Sequence, residues 1–161
     1  MKRLVASVIA LVVLLGGCTG GRELPPPKSP PAIDDAGARG ALDEVVKDIS
    51  ANGVVDFCGR LARDAAQCED TLGDALRACL LPGDAPRVLR SAPFKRAGSE
   101  EGWVLEVAGR TMDGQAYTSE FFVVHDQDRV RPAVGVFWTG LGLVDSPFGP
   151  HNTKVPQRAC P

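Results

Sequence analysis

The chain has 161 residues, with 18 lysines and arginines against 20 aspartates and glutamates, for a formal charge of −2. That length leaves room for one small domain with one core, and a slightly acidic balance without a basic stripe gives nothing that asks for nucleic acid.

Lys2 and Arg3 form a short basic leader, and residues 4–15 are an apolar run in which Ser7 is the one polar member. That order is the layout of a secretory signal segment. The run falls short of the roughly twenty residues a spanning helix needs, and the glycines and Thr19 that extend it are poor helix formers. Leu15-Gly16-Gly17-Cys18 resembles the lipobox of bacterial lipoproteins. The resemblance implies that residues 1–17 are removed as a signal peptide. It also implies that Cys18 becomes the lipid-bearing N-terminus, carrying diacylglycerol and acyl chains such as palmitate, on the extracytoplasmic face of the bacterial cell membrane. Small residues before the cysteine give a peptidase access, and two or more acyl chains hold durably where one binds marginally. Because Lys2 and Arg3 leave and no acid leaves with them, cleavage takes the charge from −2 to −4. Arginine outnumbers lysine thirteen to five, the compositional habit of a GC-rich bacterial genome.

Pro25, Pro26, Pro27, Pro30 and Pro31 follow with no apolar periodicity. Residues 18–33 therefore read as an extended tether rising about 3.1 Å per residue, which leaves residues 34–161 as the folded domain. From there Leu42, Val45, Val46 and Ile49 recur at helical spacing, with Asp34 or Asp35 as N-cap and Asn52-Gly53 as the stop. Val54, Phe57, Cys58 and Leu61 share a second stripe, and Leu72, Ala75, Leu76, Cys79 and Leu80 a third that Pro82 ends. Cys58 and Cys79 should accordingly point inward.

Beyond Pro86 the period becomes two. Residues 88–97 read as one strand, and Trp103, Leu105 and Val107 mark a second. Tyr117, Ser119, Phe121 and Val123 alternate with Thr118, Glu120 and Phe122 in a third, and Val130, Val134, Val136 and Trp138 mark a fourth. Asp113-Gly114 is a hairpin signal, residues 98–102 a loop and residues 126–129 a turn, so the strands form an antiparallel meander. Pro132 places the fourth at an edge or starts it late. Residues 139–161 are rich in Gly and Pro, without a period, and read as a tail that a disulfide at Cys160 would pin back.

Cys18 aside, Cys58, Cys68, Cys79 and Cys160 are an even set in an exported chain, which predicts two disulfides in one of three pairings. Their gaps of ten, eleven and eighty-one residues lack the short spacings of a metal site.

Helices followed by about four antiparallel strands define an α+β domain, two to three helices packed on a curved sheet. Phe57-Cys58-Gly59-Arg60-Leu61, then Cys68-Glu69-Asp70-Thr71-Leu72, then the Trp103 and Phe121-Phe122 strands resemble the small NTF2-like, cone-shaped lipoproteins common in actinobacteria. The resemblance covers roughly residues 34–139. It implies a hollow between sheet and helices, and a pairing of Cys58 with Cys68 that leaves Cys79 for Cys160. One continuous helix would hold Cys58 and Cys68 about 15 Å apart, against the roughly 4.4–6.8 Å a disulfide spans, so the pairing requires a break between Arg63 and Gln67. Relatives often have a proline there. This chain has Ala62-Arg63-Asp64-Ala65-Ala66, in which Asp64 is available to cap a new turn.

Cone-fold enzymes project acids, histidines or tyrosines into that hollow. Tyr117 and His125 share a strand face but make a thin constellation, His151 lies in the tail, and a catalytic role is not expected. Asp126, Asp128 and Glu120 lack the remaining ligands of a calcium loop, so neither metal nor cofactor is expected. Phe121-Phe122 and Phe137-Trp138 place apolar rings on both faces of their strands, so helices must cover one set and a ligand, the tail or a partner the other. Trp103, Tyr117, Phe121 and Trp138 form the candidate pocket. The reading is a non-catalytic, membrane-anchored lipoprotein that binds an apolar small molecule or another envelope protein. A cone-fold enzyme acting on a small hydrophobic substrate, or an inhibitor or exclusion lipoprotein, stands as the alternative.

Overall fold

The computed structural model describes residues 32–95 and 101–156. The leader, Cys18, most of the proline-rich segment and Cys160 lie outside the described residues.

Helix α1, Asp35–Asn52, begins where Asp34 accepts the Gly37 N–H at 2.8 Å and ends at Gly53, whose φ of 78° is open to glycine. Its buried stripe is Ala38, Ala41, Leu42 and Val45. Helix α2 is one turn and a little more, Phe57–Leu61. Ala62 then adopts extended backbone, and Asp64 caps helix α3, Ala65–Arg77, by accepting the Gln67 N–H at 2.9 Å. This is the break the Cys58–Cys68 pairing demands, and that disulfide is present with its Cα atoms 5.5 Å apart. The Arg63 N–H, inside the break, donates to Pro132 O at 2.9 Å and ties the helical corner to the sheet.

The end of α3 differs from expectation. Leu76, placed on the inward stripe, is 41% exposed, because the buried stripe of α3 is only Cys68, Leu72 and Ala75 and Leu76 lies just around from it. Cys79 is not helical either. It takes φ 54°, the Leu80 N–H bonds Ala75 O and the Cys79 N–H bonds Leu76 O, a Schellman closure with cysteine where glycine is usual. The reversal turns Leu80, 4% exposed, into the core. Cys79 is itself disulfide-bonded. Since Cys58 and Cys68 hold each other, its partner lies outside the described residues.

Strands β1 (Arg87–Lys95), β2 (Glu101–Arg110), β3 (Ala116–Asp126) and β4 (Arg129–Val134) form one antiparallel sheet in chain order. Thr111 and Gly114 close the β2–β3 hairpin, with Gly114 at φ 85°. Pro132 does lie on an edge strand. The fourth strand is shorter than its periodicity suggests, stopping at Val134, and Phe137–Thr139 is a turn of 3₁₀-helix. A strand would send Phe137 and Trp138 to opposite faces, whereas the turn buries both in one core.

That core lies between helices and sheet, built on Leu105, Val107, Phe121 and Val123. On the sheet's other face Val104, Phe122 and Val124 cluster with Leu143, joined by Phe94 and Phe148 at the margin. The segment read as a loose tail is what covers the second face.

Candidate functional site

Of the four candidate pocket aromatics, Phe121 and Trp138 are fully buried. Trp138 lies 5.8 Å from Phe57 and 5.2 Å from Phe137, ring centre to centre, and Phe137 lies 6.2 Å from Phe121. The expected hollow is filled here by these rings. Tyr117 sits at one end of this face, its ring against Gly109, where an added Cβ would stand 2.5 Å from the hydroxyl oxygen. Burial pushes its hydroxyl up to about 12. Tyr117 and Trp138 share the wall of a cavity of about 250 Å³ with Leu80, Thr111 and Thr139. Trp103, half-buried, packs against the same core opposite Val123. The four therefore share a face of the sheet but not one pocket.

His125 stands eight residues from Tyr117 on β3, about 27 Å along the strand, so the two do not act together. It borders a cleft of about 490 Å³ with Ile33, Phe94 and Gly102, beside the Lys95–Glu101 ion pair at 2.5 Å. Lys95 holds the Glu101 carboxyl below its ordinary value. Asp126 pairs with Arg131 at 3.2 Å, and no three acids, histidines or cysteines cluster as a metal site among the described residues.

The polar group that the sequence reading missed lies on the second face. Glu106 of β2 and Glu120 of β3 are direct cross-strand neighbours, 5% and 0% exposed. Facing like charges repel, so each carboxylate requires partners. Arg90 of β1 forks Glu106 at 2.7 and 2.6 Å. Glu120 accepts the Leu143 N–H at 2.6 Å and the Ser146 hydroxyl, and His151 Nε2 lies 3.1 Å from Glu120 and 3.8 Å from Glu106. The available signal was a glutamate two residues from Val104 on one strand and two from Phe122 on the next, on a face too apolar to stay wet. Finding it required knowing that the tail returns.

Arg90, chiefly by hydrogen bonding, holds the Glu106 carboxyl below its ordinary value. A depressed folded-state pKa adds stability that is full above the unfolded glutamate value of about 4.3 and is lost as pH falls below it. Arg90→Gln should lower the melting temperature near neutrality and flatten its decline below about pH 4.3, as read by thermal melts across that range.

Compared with protein-family models, curated proteins and solved structures, the chain matches none.

Proposed function

We propose that the chain is an envelope lipoprotein, anchored through a lipidated Cys18 to the extracytoplasmic face of a bacterial membrane, whose NTF2-like domain binds another envelope protein without catalysis. The packed interior carries this reading. In a cone-shaped fold a small ligand sits between sheet and helices, and here Phe57, Phe121, Phe137 and Trp138 occupy that space, so recognition falls to the outer surface. A tyrosine pushed to about 12 and a Glu106 carboxyl that Arg90 holds below its ordinary value are poor acid–base catalysts near neutrality.

One observation favours a second reading, binding of an apolar small molecule. The cleft beside Ile33, Phe94 and His125, at about 490 Å³, falls within the roughly 300–1,000 Å³ of ligand sites.

Cys18→Ser should move the protein from the membrane to the soluble fraction, read by fractionation and blotting. Retention would mean that the apolar run itself is the anchor. Crosslinking in intact membranes should then yield one defined protein adduct. A co-purifying small-molecule mass in native mass spectrometry, without such an adduct, would replace this reading with the second.

A further inference from the structure

The chain loops out at Gly142 and returns at Asn152, where the Gly142 N–H donates to Asn152 O at 2.9 Å. Beyond that loop Val155, 6% exposed, enters the main core, and Pro156 reaches the cavity of about 250 Å³ that Tyr117 and Trp138 share. Leu80 lines the same cavity from the reversal after α3. Cys79, the residue before it, is disulfide-bonded to a cysteine outside the described residues. Two separate points of the chain, Pro156 and Cys79, are thus held at this one cavity.

Cys18 and Cys160 are the two cysteines that remain, and chain length separates them. Cys160 follows Pro156 by four residues, a reach of at most about 14 Å, so it stays in the cavity's surroundings. Cys18 lies fourteen residues before Ala32, and Ala32 borders the cleft at His125, about 27 Å along β3 from Tyr117. That longer segment would have to cross the length of the sheet, at a larger cost in chain entropy. Cys160 is therefore the partner that the geometry favours.

We propose that residues 157–160 wall off the cavity at Tyr117 and Trp138, fastened by a Cys79–Cys160 disulfide, and that a dithiol reductant opens this wall while the Cys58–Cys68 bond stays closed. Access decides the order. Cys58 and Cys68 are 0% and 7% exposed, whereas Cys79 is half-buried, and exchange depends on a thiolate reaching a sulfur. One thiolate of the dithiol attacks a sulfur of the bond, forming a mixed disulfide and releasing the other cysteine as a thiolate. The second thiol of the reductant then displaces the remaining cysteine. The two cysteines gain two electrons and two protons, and the dithiol leaves as its own disulfide. Opening admits water to Tyr117, whose buried hydroxyl has no hydrogen-bond partner among the described residues.

The test uses the full oxidised chain. Non-reducing peptide mapping should join Cys79 to Cys160, and a bond from Cys79 to Cys18 or to a second copy overturns the proposal. After brief treatment with dithiothreitol and capping of free thiols with iodoacetamide, mass spectrometry should find the cap on Cys79 and Cys160 and none on Cys58 and Cys68. Tyr117 is the one tyrosine of the chain, so nitration by tetranitromethane reads its exposure directly, and the rate should rise at least about tenfold on opening. A Gly-Ser-Gly-Ser insert between Arg158 and Ala159 slackens the wall with the bond kept, and should raise nitration several-fold without reductant. Amide protection at Val123 should hold in both cases. Nitration that responds to neither opening, or that rises only as Val123 loses protection, overturns the proposal, as does capping of all four cysteines together.

Discussion

Trp138→Ala should cost about 3–5 kcal/mol of folding stability, read as a lower midpoint in urea at unchanged slope. Trp138 is fully buried, meets Phe57 from α2 and Phe137 beside it, and donates its indole N–H to Leu80 O at 3.1 Å. It thus joins the helical corner, the reversal after α3 and the turn after β4. Removing the ring opens a cavity that none of these can close without giving up another contact, and strands the Leu80 carbonyl. Trp138→Phe separates the two effects. It keeps most of the apolar volume but leaves that carbonyl unpaired, for a loss of about 1–3 kcal/mol. Equal losses in the two variants would show that the hydrogen bond, rather than the packing, carries the residue's contribution.

The local devices of this fold were open to reading because each depends on a side chain and its near neighbours. Asp34 and Asp64 cap helices through N–H groups three residues on, Gly53 and Gly114 occupy the positive-φ positions that stop a helix and turn a hairpin, and alternation within β2 and β3 separates two faces. The expectations that failed were those in which a distant partner decides. Leu76 obeys helical spacing but stands outside the narrow stripe of α3 that is buried. The period-two pattern through Val136 and Trp138 matches a strand, yet no β3 residue is left to pair with it once β3 begins to bond the loop through Ser119 and Glu120.

The same distinction applies to the candidate site. Aromatic rings on both strand faces implied two covers, and the tail was one of three candidates for the second. Nothing within the tail announces this, because residues 139–156 carry no period. Their place is set by one buried carboxylate and by Leu143 and Phe148 meeting the apolar face. Glu120 reads in the sequence only as an alternating strand residue and one member of an incomplete calcium set, and it becomes the anchor of the loop only when residues 23 to 31 positions further on return to it.

The Cys58–Cys68 disulfide bears on the same helical corner from the other side, and replacing both cysteines with alanine should cost about 3 kcal/mol. Closing a loop with a sequence separation of 10 restricts the unfolded chain by that amount in the loop-entropy account. The native side adds a reason for the bond. Between α2 and α3 the chain has only Ala62, Arg63 and the Asp64 cap, a composition that by propensity would continue the helix. The bond excludes the continuous helix by geometry, because its ends would stand about 15 Å apart. The double variant should therefore lose more than stability. Amide exchange at Gln67 and Cys68→Ala should accelerate relative to α1, as the Asp64 cap competes with helix continuation. The variants isolate this bond where a reductant would not, since Cys79 is also disulfide-bonded and would open too. A loss under about 1 kcal/mol, with exchange across α2 and α3 unchanged, would show that Asp64 and the Arg63 bond to Pro132 hold the corner alone.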